Sequence, residues 1–223
     1  MNKYLKVVLL FTIVLTISNN LMSQNNRDLF FVFLNSNPDK EKISDTKAEE
    51  LQAAHMDNID KLAKEGKLIA AGPFDGGGGM FILRADSYDQ ANQYLETDPA
   101  ITANRFIIEV FPFSIYNGNL CGAKEPYEMV NYQIVRIIMN DDNEEALEKA
   151  NYNTRLFMAN IHNDTKELVV HGRFENQKDG VLILNVPNAE TADAVMKRNP
   201  AVTSGVLTYD IKTLWIAKGT FCE

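Results

Sequence analysis

Two short triplets, Gly72-Pro73-Phe74 and Asp98-Pro99-Ala100, recur later in the chain as Gly172-Arg173-Phe174 and Asn199-Pro200-Ala201. The first pair of triplets is offset by 100 residues and the second by 101. Two separate triplets rarely keep the same spacing to within one residue by chance. The sequence therefore predicts that one structural unit occurs twice in the chain.

Around these triplets, short apolar runs alternate with longer amphipathic segments in the same order in both copies. In the first copy the pattern predicts strand, helix, strand, strand, helix and strand at Leu29–Leu34, Asp45–Lys64, Lys67–Phe74, Met80–Leu83, from about Ser87, and Arg105–Tyr116. In the second copy it predicts the same order at Tyr132–Ile138, Asn143–Asn163, Lys166–Phe174, Gly180–Val186, Asn188–Arg198 and Val206–Ile216. We place repeat 1 at residues 24–118, a linker at 119–128 and a degenerate repeat 2 at 129–223.

A βαββαβ unit is ferredoxin-like and places both helices on one face of a four-stranded antiparallel sheet. The other face must also be covered, because the strands are too apolar to leave it in water. We therefore expect an α+β fold in which the two repeats pack into one intramolecular dimeric α+β barrel, so that the chain is a monomer. The alternative, in which each repeat pairs with another chain, stays open at this point.

The N-terminal residues have the pattern of a secretory signal peptide. Lys3 and Lys6 precede the uncharged apolar run Val7–Ile17, and the chain then turns polar up to the small residue Ser23. The apolar run is shorter than the roughly 20 residues that a membrane-spanning helix needs. We predict that residues 1–23 are removed and that the protein is exported, to the periplasm or outside the cell. An uncleaved N-terminal anchor is the alternative.

Charge and composition exclude several classes of partner. The 223 residues carry a formal net charge of −8 and no basic stripe, which argues against nucleic acids and anionic membrane surfaces. The three histidines and two cysteines lack the paired spacing of a metal site, so we expect neither a metal nor another cofactor. A small-molecule ligand remains the expected partner.

The two cysteines, Cys121 and Cys222, lie 101 residues apart, which is the offset of the second triplet pair. Both follow the last strand of their repeat. In an oxidising compartment we expect a disulfide that joins the two repeats. Two separate thiols, or a bond between two chains, are the alternatives.

His55 and Asp98 are the candidate catalytic residues. His55 lies four residues after Leu51 and four before Ile59, which places it on the inward face of the first helix. Asp98 could accept a hydrogen bond from one imidazole nitrogen and leave the other as a general base. The alternative is a buried histidine whose hydrogen bond goes to the backbone.

Repeat 2 lacks this pair. The offsets place Arg155 and Asn199 at the equivalent positions, with a slip of one residue possible in the helix, and no histidine lies near either one. We therefore expect at most one His–Asp site per chain.

Gly72, His171 and Arg173 are candidates for lining a ligand pocket. Arg173 replaces the proline of the first triplet and could hold a carboxylate, although a solvated arginine at a strand edge is the simpler alternative. His171 precedes Gly172 within a strand and could point into a second pocket.

Four segments of repeat 1 together resemble the YCII-related family: His55-Met-Asp-Asn-Ile-Asp-Lys-Leu62, Gly66-Lys-Leu-Ile-Ala-Ala-Gly-Pro73, Gly79-Met-Phe-Ile-Leu83 and Asp98-Pro99. The resemblance implies a dimeric α+β barrel related to muconolactone isomerases. It also implies a His–Asp pair, here His55 and Asp98, in a pocket between helix and sheet. Most members are cytoplasmic, so an exported tandem member departs from the family's usual setting.

Two functions stay open from the sequence. One is a cofactor-free isomerase, lyase or hydrolase that acts on a small acidic molecule, with His55 as base and Asp98 orienting it. The other is a non-catalytic module that binds a small ligand, or a structural module whose pocket is vestigial.

Overall fold

The structure, a computed structural model, describes residues 28–123, 125–140, 144–175 and 179–222, so the predicted signal peptide lies outside the described residues. Repeat 1 consists of β1 (Leu29–Ser36), α1 (Asp45–Lys64), β2 (Leu68–Pro73), β3 (Gly79–Arg84), α2 (Tyr88–Leu95), α3 (Pro99–Thr102) and β4 (Phe106–Asn117). Repeat 2 consists of β5 (Met129–Met139), α4 (Glu144–Asp164), β6 (Leu168–Phe174), β7 (Gly180–Leu184), α5 (Ala189–Met196), α6 (Pro200–Thr203) and β8 (Leu207–Ala217). The predicted order is confirmed, and each repeat adds one single-turn helix that starts at the proline of its second triplet.

The eight strands form one antiparallel sheet in the order β2-β3-β1-β4-β6-β7-β5-β8. The two repeats meet in the middle of this order, where β4 pairs with β6 from Phe113 opposite Phe174 to Asn117 opposite His171. They meet again where the outer strands β2 and β8 come together, because Phe74 and Leu214 form an isolated bridge there. The N–H of Asp75 also donates to the carbonyl of Thr213 over 2.9 Å. The expected α+β fold, with two repeats in one barrel, is confirmed.

Strand β1 shows why the strands are apolar at nearly every position. Alternate side chains point into the barrel, where they join residues of repeat 2 in one buried cluster: Leu29, Phe31 and Phe33. The side chains between them pack against the helices of repeat 1: Phe30, Val32 and Leu34. Because both faces of the strand are buried, neither face selects for polar residues.

The helices cover the outside of the sheet. On α1 the buried residues are His55, Asn58 and Leu62, which are spaced three and four apart and therefore share one helix face. Within the described ranges, the helices lack the combination of length and hydrophobicity that crossing a membrane requires.

The glycines of the first triplets lie where the two repeats touch. A Cβ atom on Gly72 would lie 2.6 Å from the backbone oxygen of Trp215, and one on Gly172 would lie 2.2 Å from the Phe113 ring. Side chains of any size would push the strands apart at both places. This close approach explains why a glycine occurs at the same place in both repeats.

Cys121 and Cys222 form the predicted disulfide, with their Cα atoms 5.3 Å apart. The surrounding backbone holds the two segments together as well. The N–H of Cys121 donates to Thr220 O over 2.9 Å, and the N–H of Cys222 donates to Asn119 O over 3.0 Å. The bond thus ties the segment after β4 to the C-terminal end of repeat 2.

Candidate active site

His55 is held inside the protein by the start and the packing of α1. The helix begins after Ser44, whose hydroxyl accepts the N–H of Lys47 over 3.3 Å. The His55 side chain is 8% exposed, and its ring centroid lies 6.1 Å from that of Phe81 and 5.9 Å from that of Phe106. The imidazole therefore has largely apolar surroundings.

Asp98 is fixed by the single-turn helix α3 that follows it. Its Oδ1 accepts the N–H groups of Ala100 over 2.9 Å and Ile101 over 3.3 Å, so Asp98 is the N-cap of that helix. Proline follows directly and suits the first position of a helix. Only 1% of Asp98 is exposed. The cap and the surrounding protein thus fix the orientation of Oδ2, the second carboxylate oxygen of Asp98.

His55 and Asp98 contact each other, as the resemblance implied. The Nδ1 of His55 lies 2.7 Å from Oδ2 of Asp98. Because Oδ1 already accepts two backbone N–H groups, we assign the carboxylate as an acceptor on both oxygens. His55 then carries its proton on Nδ1, and Nε2 keeps its lone pair. This is the tautomer that a general base needs.

A cavity of about 300 Å³ borders His55. Repeat 1 supplies most of its wall, including Gln52, Ala71, Gly72, Pro73, Phe81 and Phe106. Repeat 2 supplies Met129 and Trp215, the latter 50% exposed. The cavity is mainly apolar, and the imidazole is one of its few polar groups, which is typical of small-molecule sites.

The equivalent position in repeat 2 holds no base. Asn199 caps α6 as Asp98 caps α3, with its Oδ1 accepting the N–H of Ala201 over 2.9 Å. Its side chain faces Thr154, whose Oγ1 lies 3.4 Å from Asn199 Nδ2. The prediction that Arg155 is the counterpart of His55 is thus wrong by one residue, and Thr154 occupies that position. The residues of α4 follow those of α1 at a spacing that is one residue shorter than the spacing between the strands of the two repeats.

Gly72 lines the cavity beside His55, whereas His171 and Arg173 lie away from it on β6. Nδ1 of His171 lies 3.3 Å from Oδ1 of Asn117, and Arg173 donates a hydrogen bond to Oδ1 of Asn151. Burial, together with the charges of Arg173 and Arg155, lowers the pKa of His171 to about 4. His171 is therefore neutral at pH 7.

The contribution of repeat 2 to the cavity was not predicted from the sequence. Trp215 is the single tryptophan of the chain, and it lies on the last predicted strand. A strand pattern shows which residues share a face, but it does not show which strand of the other repeat lies beside β2. Gly72 was the one feature of the sequence that could have indicated this contact, because the strand that carries Trp215 lies too close to Gly72 for a side chain there.

Within the described part of the chain, histidine, cysteine, aspartate and glutamate side chains form no group of three able to hold a metal ion.

Comparison with solved structures supports the fold across most of the chain. A protein provisionally named chlorite dismutase (TA0507) has a TM-score of 0.53 at 8% identity, covering 86% of this chain and 96% of its own. A provisionally named monooxygenase of Fusobacterium nucleatum has a TM-score of 0.51 at 10% identity, covering 86% and 95%. At these identities the likeness shows the fold alone.

A third structure matches about one repeat. It is 5-chloro-2-hydroxyhydroquinone dehydrochlorinase from Burkholderia phenoliruptrix AC1100, in complex with 2,5-dihydroxybenzoquinone. It is 22% identical, covers 41% of this chain and 95% of its own, and has a TM-score of 0.32. Curated proteins gave no match. The YCII-related domain profile matches residues 29–114, which contain both His55 and Asp98. Over residues 29–114, repeat 1 is therefore similar to the YCII-related domain.

Proposed function

We propose that this protein is an exported enzyme that transfers a proton on a small acidic molecule, as an isomerase, a lyase or a hydrolase. His55 acts as the general base, and Asp98 orients it. The observation that carries the proposal is the buried 2.7 Å contact between His55 Nδ1 and Asp98 Oδ2 at the wall of a cavity. A base that is oriented in this way is what general acid–base catalysis requires.

The chemistry follows from the tautomer. Nε2 of His55 removes a proton from a carbon next to a carbonyl group, and the electron pair left on that carbon delocalises onto the carbonyl oxygen. The imidazolium formed is stabilised by the carboxylate of Asp98. Return of the proton to a different carbon completes an isomerisation, and its delivery to a leaving group completes an elimination.

The cavity supports a small substrate. Its volume of about 300 Å³ lies at the lower end of the range for ligand pockets. The apolar rings of Phe81 and Phe106 limit the access of water to the imidazole, which strengthens electrostatic interactions there.

Export is supported by two features of the chain. Residues 1–23 have the pattern of a signal peptide. The Cys121–Cys222 disulfide is of the kind that persists in an oxidising compartment.

Deuterium exchange tests the proposal. Small keto acids, lactones and phenolic acids are incubated in deuterated buffer with the protein, and loss of the acidic C–H signal is followed by NMR. Wild-type protein should speed the exchange of at least one compound, and His55→Gln should lower that rate about 100-fold or more. Thr154→Val is the matched control, because it changes the equivalent position of repeat 2 and should leave the rate unchanged.

The opposite result is equally clear. Exchange that is as fast in His55→Gln as in the wild type would contradict the assignment of the base. Quenching of Trp215 fluorescence by a compound that shows no exchange would favour the alternative, a module that binds small ligands without chemistry.

A further inference from the structure

A second cavity lies beside the His55 cavity and shares part of its wall. The second cavity has a volume of about 200 Å³, and Gln52 and Phe106 line both cavities. Gln52 lies one helical turn before His55 on α1, so the two side chains share a helix face. A ligand that contacts His55 can therefore extend over Gln52 and Phe106 into the second cavity.

The two cavities differ in charge. Among the described residues that line the His55 cavity there is no lysine or arginine. The second cavity is lined by Lys40 and Arg105, together with apolar side chains that include Ile43 and Leu51. Neither cation forms an ion pair within the described residues. In a chain whose net charge is −8, these two positive charges are available to an anion in the second cavity.

Hydrogen bonds hold Arg105 and the loop that carries Lys40 at this cavity. The Arg105 guanidinium donates one N–H to the carbonyl oxygen of Glu41 over 2.6 Å. The N–H of Asn37 donates to the carbonyl oxygen of Arg105 over 3.0 Å, and its Nδ2 donates to that of Asn104 over 2.9 Å. An arginine side chain carries several N–H donors. The guanidinium is thus held in place by one of them and keeps the others for a ligand.

Repeat 2 lacks this arginine as well as the base. Arg105 directly precedes β4, and Val206 directly precedes β8, so the two residues are equivalent. Val206 has no group that binds an anion, and repeat 2 has Thr154 at the position of His55. The cation and the base therefore occur together in one repeat and are replaced together in the other, as expected if they serve the same ligand.

We propose that Arg105, with support from Lys40, binds the carboxylate of the substrate while the apolar part of that substrate occupies the His55 cavity. This inference rests on the proposed function and adds the site for the acidic group. A guanidinium suits the role because its paired N–H donors match the two oxygens of a carboxylate. The substrate is then an elongated carboxylic acid, whose acidic group lies away from the carbon that loses its proton to His55.

Titration of the full chain with 3-phenylpropanoate and with its neutral amide, 3-phenylpropanamide, tests this site. Binding is followed by the fluorescence of Trp215, which lines the His55 cavity. The wild type should bind the carboxylate at least tenfold more tightly than the amide. Arg105→Gln should weaken binding of the carboxylate about tenfold or more and leave binding of the amide unchanged, because only the carboxylate loses a charge-assisted contact.

Two further variants complete the test. Lys40→Gln should weaken binding of the carboxylate less than Arg105→Gln does, because Lys40 is exposed and its charge is screened by water. Arg84→Gln is the matched control, since Arg84 is an exposed arginine of the same repeat that lines neither cavity. It should bind both probes as the wild type does.

The proposal is overturned if the wild type binds the two probes equally or binds neither at millimolar concentration. It is also overturned if Arg105→Gln weakens both probes to the same extent, because a purely structural role would not depend on the charge of the probe. Binding involves no proton transfer, so the result does not depend on His55 acting as a base. A carboxylate preference that requires Arg105, in a protein that exchanges no deuterium, would contradict the proposed reaction and not the acid site.

Discussion

Asp98 and Asn199 cap equivalent single-turn helices, but only the aspartate has a second oxygen that can accept the Nδ1 proton of a histidine. Both side chains accept a backbone N–H two residues later over 2.9 Å. Asn199 offers one acceptor oxygen and no charge, and its neighbour is Thr154. Replacing Asp98 by asparagine, the residue found at the same position in repeat 2, therefore separates its role as a helix cap from its role as the partner of His55.

Asp98→Asn should keep the fold and lose the chemistry. The amide oxygen can still cap α3, so we expect the melting temperature to stay close to that of the wild type. The rate of proton exchange should fall about 100-fold, because His55 loses its charged partner. Calorimetry and the deuterium exchange assay measure the two quantities. A normal rate in Asp98→Asn would show that the carboxylate does not orient the base.

His171 should make the protein less stable in mild acid. Its pKa is about 4 in the folded protein, because of burial and the charges of Arg173 and Arg155, against about 6.5 when unfolded. Between these values the unfolded chain takes up a proton that the folded chain does not. The free energy of unfolding should therefore fall by up to about 3 kcal/mol as the pH drops from 6.5 to 4.

Urea unfolding at several pH values measures this loss. His171→Gln should flatten the pH dependence of stability in this range, whereas His162→Gln should retain it. His162 is the control because it is partly buried and lies apart from His171, with its Nδ1 2.9 Å from the carbonyl oxygen of Leu168. Equal acid sensitivity in wild type and His171→Gln would contradict the assignment.

Single residues could be predicted from the sequence where a short motif fixes their position. Asp98 and Asn199 were matched correctly because each is followed by Pro and Ala. Thr154 was not identified as the counterpart of His55, because a helix without such a motif can be aligned one residue in either direction. Repeat 2 has no histidine at this place that would have shown the correct alignment. The contact between His55 and Asp98 followed from helix periodicity together with the family resemblance.

At the scale of elements, the pairing of β4 with β6 and of β2 with β8 depends on glycines that lack a side chain. The strands themselves were predicted from runs of apolar residues. Their order along the chain was expected from the repeat, but the neighbours across the seams were not, because periodicity does not show which strand of one repeat lies beside which strand of the other.

Gly172→Ala should be unusually destabilising. Its new Cβ would lie 2.2 Å from the Phe113 ring, so the seam between the repeats must shift, at a cost of roughly 3 kcal/mol. Gly205→Ala is the control, because its surroundings are open and only its φ of +76° opposes a side chain, which costs about 1 kcal/mol. Chemical denaturation compares the two. A Gly172→Ala protein that is no less stable than Gly205→Ala would contradict the tight seam.

At the scale of the whole molecule, two repeats of the same fold in one chain form the barrel that two identical chains would otherwise form together. A single chain permits the two halves to differ, and the residues at the cavities show that they do. Trp215 of repeat 2 forms part of the cavity of repeat 1, and the residue at the equivalent place in repeat 1 is Ser114. This asymmetry could not be predicted without knowing how the sheets meet.

Removal of the disulfide should destabilise the chain without changing its fold. The bond joins residues that are 101 positions apart, and loop-closure entropy predicts a loss of about 5 kcal/mol for Cys121→Ser/Cys222→Ser. Urea unfolding of this variant, and of wild-type protein with reductant, measures the loss. Identical unfolding of oxidised and reduced wild-type protein would show that the bond does not stabilise the barrel.

The central claim is that Asp98 holds the proton of the neutral His55 ring on Nδ1 and leaves the lone pair on Nε2, and ¹⁵N NMR of the labelled imidazole tests it most directly. Where the ring is neutral, the wild type should show a protonated Nδ1 and an unprotonated Nε2 for His55, and Asp98→Asn should lose this preference. A His55 ring that carries its proton on Nε2 in the wild type would contradict the account.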